Sequence, residues 1–222
     1  MKLGVIAALR NEVAPTFQAL QPASRTVQGL RCHESPPYVF AVSGVGARPA
    51  ATAALLLADA FKPDVILSVG FCGALTDDLQ TADLILGGSS GHPATADLLE
   101  LARAADPKAR VAEIVMAPKV VVGIEEKKAL ARKTGAVAVD MESGAVAVAA
   151  RDRGLGFLCV KVVIDTPSEP LASTYAGFWS VLKDLLLHPG TVMQMAYDAK
   201  RVKLAAERLR DFFVALKGKL PA

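Results

Sequence analysis

Short runs of apolar, largely β-branched residues alternate with stretches of helical period along most of the chain, and this alternation constrains the fold more than any other feature. The runs 3–9, 38–42, 65–69, 84–86, 111–116, 136–139 and 157–164 have the length and Val, Ile or Phe content of buried strands. Between them, 47–60, 94–105, 125–133 and 142–153 repeat apolar residues at helical spacing, with Gly154 as the last stop signal. Strands alternating with helices predict an α/β fold: a largely parallel sheet wound on both faces. Residues 21–35 are poorly patterned and predict a hairpin or loop, TPSEPLAST after Asp165 reads as a loop, and the chain from Tyr175 onward reads as two helices separated by HisProGly at 188–190. These C-terminal helices are expected on the outside of the sheet. No repeat, low-complexity tract or linker interrupts this order, so a single domain over 1–222 with a helical C-terminal segment 174–222 is expected.

Hydrophobic residues make up 52% of the chain and charged residues 21%, which excludes disorder, and no apolar run reaches spanning length. Lys2 before an apolar run imitates a signal peptide, but Arg10, Asn11 and Glu12 cut the run short and no small-residue cleavage site follows; a cytoplasmic protein is expected. Three cysteines, Cys32, Cys72 and Cys159, without CxxC spacing indicate neither a disulfide framework nor a metal site. The net charge of +3 is concentrated in KRVKLAAERLR, which reads as a solvated helix face, and with aromatic residues at only 5% no nucleic-acid partner is expected.

In an open parallel sheet, ligands bind beyond the carboxyl ends of strands. The first expected strand ends in Arg10, Asn11 and Glu12, the second in SerGlyValGly at 43–46, the third in GlyPheCysGly at 70–73. SGVGARPAA imitates a dinucleotide fingerprint, but Pro49 occupies the third small position and no acidic residue closes a second strand, which weighs against a nicotinamide-cofactor enzyme. Its free backbone N–H groups suit an anion or a ribose hydroxyl, and a plain tight turn explains the glycines equally well. The strongest local feature is AVAVDMESGAVAVAA, where a buried strand runs into Asp140, Met141 and Glu142 before a small-residue helix. From the residues alone, Glu142 either caps that helix, the heavier reading, or grips a sugar diol. FLCVKVVID ends a further strand in Asp165, either the start of a turn or a third carboxylate at the same edge. Glu12, Glu142 and Asp165 together would supply an acid, a base and a diol ligand in one crevice.

The chain resembles the nucleoside phosphorylase superfamily in GVIAALRNEV, VSGVGARPAATAALLL, KPDVILSVGFCGAL, AVDMESGAVAVAA and VKVVID, in order over residues 1 to about 170. It is most similar to methylthioadenosine/S-adenosylhomocysteine nucleosidases and, in DMES and the tail LLLHPG, to the hopanoid-associated phosphorylases. The resemblance implies a three-layer α/β/α domain with a mixed, mostly parallel sheet, and an enzyme that breaks the N-glycosidic bond of an adenine-type nucleoside by hydrolysis or phosphorolysis without a cofactor, inorganic phosphate being a candidate co-substrate. It further implies that Asp165 shares a proton with N7 of the leaving purine, that Glu142 grips the ribose hydroxyls with Met141 against the sugar, and that Glu12 activates the attacking water. Asp140, Gly44, Gly46, Gly70, Phe71, Cys72, Gly73 and Val120 complete the implied binding wall. Phe71 and Ile164 depart from the small hydroxyl residues common in the family, which keeps open a non-catalytic nucleoside-binding protein. No GlyAsp-type phosphate loop is present, leaving Arg10 and Arg48 as candidate phosphate ligands. A homo-oligomer, a dimer by expectation, is implied; Phe178, Trp179 and residues 185–187 form an apolar face for core or interface, or for membrane contact should the substrate be an adenosyl-lipid.

Overall fold

The computed structural model describes residues 1–168 and 190–221, the side chains of 190–198 excepted. Its strands are β1 (Leu3–Ala7), β2 (Ala23–Val27), β3 (Leu30–Ser35), β4 (Tyr38–Val42), β5 (Val65–Ala74), β6 (Leu84–Gly87), β7 (Arg110–Val111), β8 (Ile114–Met116), β9 (Ala138–Asp140) and β10 (Gly156–Asp165). The helices are α1 (Arg10–Leu20), α2 (Ala47–Phe61), α3 (Ala96–Ala105), α4 (Ile124–Thr134), α5 (Ser143–Asp152) and α6 (Gly190–Lys217). Strand order is β2-β3-β4-β1-β5-β10-β6-β7, with β9 joining β5 and β8 joining β9. The sheet is mixed: β4-β1-β5-β10 is parallel, whereas β6 runs antiparallel to β10, β9 to β5, and the hairpin strands β2 and β3 to their neighbours.

The period-2 alternation of the central strands sorts their side chains into two cores. Ile6, Ile66 and Cys159 face the cluster that includes Leu57 of α2 and Val146 of α5. Val5, Leu67, Leu158 and Val160 face the opposite cluster, with Val13 of α1, Leu98 of α3 and Leu209, Phe212 and Phe213 of α6. Helices therefore cover both faces of the sheet. The far end of α6 docks through Phe213, whose carbonyl accepts the buried Tyr38 hydroxyl at 2.9 Å.

Three expectations change. The first strand gives way at Arg10 to α1, a helix whose pattern is obscured by Pro15 in its interior and whose buried residues are Glu12, Val13 and Thr16. The run 111–116 is split between β7 and β8, because the chain leaves β6, where Ala112 N–H bonds Leu86 O at 3.0 Å, and turns to pair with β9. The basic segment KRVKLAAERLR is only half solvated: Arg201 is buried and Arg208 pairs with the buried Asp106 beyond α3. The expected face of Phe178, Trp179 and residues 185–187 lies outside the described residues. Among the described residues, no helix is long and apolar enough to cross a membrane.

What positions the site is a change of neighbour along β5. Its first half, from Val65 to Val69, lies between β1 and β10; at Gly73 and Ala74 the β1 side is taken over by β9, running the other way. β8 in turn bonds the chain just after β6, Ile114 N–H to Gly88 O at 3.2 Å and Ser90 N–H to Ile114 O at 3.0 Å, so β5, β10, β6, β8 and β9 close on themselves. A crevice opens where β1 stops and β9 begins.

Candidate active site

The crevice is a cavity of about 240 Å³ whose walls include Glu12, Phe71, Met141, Glu142 and Asp165. The three expected carboxylates thus reach one space from three different elements: the first turn of α1, the residue preceding α5 and the end of β10.

Glu12 is held by backbone donors on both oxygens, Leu9 N–H on Oε2 at 2.8 Å and Phe71 N–H on Oε1 at 3.0 Å. Burial raises its proton affinity above the ordinary glutamate range, Lys161 and the two amides oppose this, and Glu142 adds to it. A carboxyl so poised suits a base that takes a proton from water. The glycines of GFCG have a concrete reason: a Cβ on Gly70, whose φ is +141°, would stand 2.3 Å from Glu12 Oε1, and one on Gly73 would stand 2.9 Å from Asp165 Oδ1. Each glycine gives its side-chain space to a carboxylate.

Asp140 and Glu142 divide the work differently from the residues-only reading. Asp140, not Glu142, bonds the start of α5, accepting Ser143 N–H at 3.0 Å and Ser143 Oγ–H at 2.5 Å, while its other partner is the buried Lys161 ammonium at 2.8 Å. Glu142 makes no side-chain cap; its Oε1 accepts Gly46 N–H at 2.7 Å. The anion at the SGVG turn is therefore the protein's own carboxylate, and Gly44 N–H is spent on Ala8 O at 3.0 Å. Gly44, Gly46 and Gly70, expected in the binding wall, do not line the cavity, since Gly46 N–H holds Glu142 and Gly70 makes room for Glu12, whereas Cys72, Gly73, Val120, Asp140 and Met141 do line it. Burial pushes the Cys72 thiol well up, so it serves as wall rather than nucleophile. Arg10 and Arg48 are exposed and neither lines the cavity.

Two lysines were not anticipated. Lys161, inside the apolar β10, is fully buried; burial disfavours its charge, but Asp140, then Cys159, Glu12 and Glu142, carry its proton affinity above the ordinary lysine value. A charge in the middle of FLCVKVVID was a legible signal, since a buried ammonium demands a carboxylate partner. Lys127 of α4 is also fully buried and pairs with Asp165 Oδ2. Its burial was hidden, because EEKKALARKT reads as a solvated helix.

A family model described as the phosphorylase superfamily matches residues 2–90 and 87–180. The 5′-methylthioadenosine/S-adenosylhomocysteine nucleosidase of Shewanella pealeana is 30% identical over 97 residues, covering 41% of this chain and 42% of that protein, and the one from Shewanella halifaxensis matches equally. The aligned stretch thus spans less than half the length of these curated relatives. Among solved structures, the futalosine hydrolase of Helicobacter pylori strain 26695 superimposes with a TM-score of 0.75 at 18% identity, covering 96% of this chain and 97% of that one. The 5′-methylthioadenosine/S-adenosylhomocysteine nucleosidase of Colwellia psychrerythraea 34H, solved with adenine, gives 0.78 at 20% identity over 99% and 96%. With that one family model matched along most of its length and the same architecture in these structures, the chain belongs to the phosphorylase superfamily.

Proposed function

We propose that this protein breaks the N-glycosidic bond of an adenine-type nucleoside. The observation that carries this reading is the convergence of Glu12, Glu142 and Asp165 on one cavity, with Gly70 and Gly73 cleared to admit two of them. In the proposed reaction, Asp165 gives a proton to a ring nitrogen of the base as the electrons of the C1′–N9 bond leave with it. Glu142 accepts hydrogen bonds from the ribose hydroxyls, with Met141 against the sugar. Water adds to C1′ and its proton passes to Glu12, which returns it to solvent, from which Asp165 takes up a proton for the next turnover.

Water is favoured over phosphate as the nucleophile because Arg10 and Arg48 stand outside the cavity wall and Lys119, which lines it, is paired with Glu126 at 3.6 Å. A 5′-modified adenosyl compound, methylthioadenosine, S-adenosylhomocysteine or an adenosyl-lipid such as adenosylhopane, is favoured by an apolar rim: Leu9, Val45 and Val120 line the cavity and yet are exposed. A cytoplasmic homodimer whose partner covers this rim accords with the same observation.

The test is to incubate the purified protein with methylthioadenosine, S-adenosylhomocysteine, adenosine and inosine, with and without phosphate, and to follow base and sugar by chromatography. Adenine release that is independent of phosphate and is lost in Asp165→Asn is the expected result. Tight nucleoside binding without turnover by any of the four would replace the enzyme with a nucleoside-binding protein.

A further inference from the structure

Lys127 stands at the fourth position of α4, immediately after the segment whose Lys119, Val120 and Val121 line the cavity. Its side chain is 0% exposed, and among the described residues its ammonium has Asp165 Oδ2 as partner. Stability gives little reason for this arrangement, because a buried ion pair often contributes no more than apolar residues of the same volume. Its partner Asp165 lines the cavity, so the buried ammonium reaches the site through that carboxylate. The other buried lysine, Lys161, belongs to a different carboxylate, Asp140, so the two cations serve separate parts of the site.

We propose that Lys127 is a positioning residue for the acid step: it holds Asp165 through Oδ2 and stabilises the negative charge that Asp165 acquires when it gives up its proton. The assignment rests on the glycosidic-bond reading above. Before the step, Asp165 carries a proton and the base is bound through N9 to C1′. After it, the proton is on a ring nitrogen, the C1′–N9 electron pair is on the base, and Asp165 is a carboxylate in contact with an ammonium already in place. Because that contact strengthens as charge appears on Asp165, it favours the transition state over the bound substrate, and its loss falls on kcat rather than on KM. The same contact ties α4, and the cavity wall that leads into it, to the end of β10.

The experiment measures steady-state adenine release and thermal unfolding for the wild type, Lys127→Met and Lys127→Arg. A positioned general acid supplies about 10²–10⁴-fold. Removing the charge that supports it is expected to lower kcat by about tenfold or more, with KM within about threefold of the wild type and Lys127→Arg restoring most of the rate. If Lys127→Met does not fold, Lys127→Gln, which keeps a donor for Oδ2 without the charge, takes its place with the same expected fall. A kcat within about threefold of the wild type in the folded neutral variant overturns the assignment, as does a loss carried entirely by KM. A wild-type protein that releases no adenine overturns the glycosidic reading and this assignment together, whereas release with an unchanged Lys127→Met rate overturns this assignment alone.

Discussion

Gly70→Ala tests the claim that the GFCG turn exists to make room for a carboxylate. The backbone at Gly70 has φ +141°, a conformation that costs a residue with a side chain about 1–3 kcal/mol. The new methyl would stand 2.3 Å from Glu12 Oε1, so Glu12 must move and release the Phe71 N–H it accepts at 3.0 Å. A hydrogen bond to a charged acceptor is worth about 1.5–3 kcal/mol, which brings the expected destabilisation to about 2.5–6 kcal/mol. At about 2–4 °C per kcal/mol for a chain of this size, the unfolding midpoint should fall by about 5–24 °C. Displacement of the carboxyl by about 1 Å should reduce the rate of adenine release by about 10²-fold. Gly73→Ala is the internal comparison: its methyl would stand 2.9 Å from Asp165 Oδ1, but its backbone has no positive φ, so a loss of rate with a smaller loss of stability is expected. Scanning calorimetry and initial rates of adenine release read both quantities. A Gly70→Ala protein with wild-type midpoint and rate would refute the reasoning, since a methyl cannot occupy the position of Glu12 Oε1 without consequence.

Two further perturbations address the charges behind the cavity. Lys161→Met should destabilise the fold by about 3–5 kcal/mol because it strands the buried Asp140, whose ammonium partner lies at 2.8 Å. Adding Asp140→Asn should recover part of that loss in denaturant titrations, and a strictly additive double variant would argue against the pairing. Burial raises the Glu12 proton affinity on folding, so its contribution to stability is fully present below the ordinary glutamate value of 4.5 and declines as pH rises through the higher value of the folded state. The difference in unfolding midpoint between the wild type and Glu12→Gln should therefore move against the wild type as pH is raised from about 4 to neutrality. A flat difference would contradict the burial argument.

The strands and helices that carry strong periodicity were legible because burial on one or both faces leaves its mark in sequence: 38–42, 65–69 and 157–164 lie within β4, β5 and β10. α1 was not legible, since its packing depends on Val13 and Thr16 while Pro15 and the buried Glu12 blur the pattern. At the site, the carboxylates at strand ends were found by asking what lies beyond each apolar run, which is a topological question. Which carboxylate bonds the start of α5 was not legible from the residues, because Asp140 and Glu142 are separated by one residue and only the fold decides that Asp140 turns inward to Lys161 while Glu142 turns to Gly46. Lys127 was invisible for a related reason: a lysine in a charged helix declares its burial only through a partner 38 positions away.

Taken as charges, the groups around the cavity show why such an inventory suits a glycosidic bond. Glu12, Asp140, Glu142 and Asp165 bring four carboxyl groups to its wall, against the buried ammonium groups of Lys127 and Lys161 behind it and the exposed Lys119, paired with Glu126, at its rim. Lys161 is matched by Asp140 and Lys127 by Asp165, so among the described residues Glu12 and Glu142 face the cavity without a direct ammonium partner. Among the described residues their oxygens accept neutral backbone donors, Leu9, Phe71 and Gly46 N–H, which orient them without cancelling their charge. A ribose that becomes cationic as the base departs is stabilised by preorganised negative charge. On the proposed reading the same arrangement is unfavourable for an anionic nucleophile, which would have to approach two carboxylates with Arg10 and Arg48 outside the cavity wall and Lys119, which lines it, paired with Glu126. If the protein cleaves a glycosidic bond as proposed, the electrostatics that assist cleavage also favour water over phosphate, and replacing Glu12 by a neutral residue should weaken that preference while slowing attack by water.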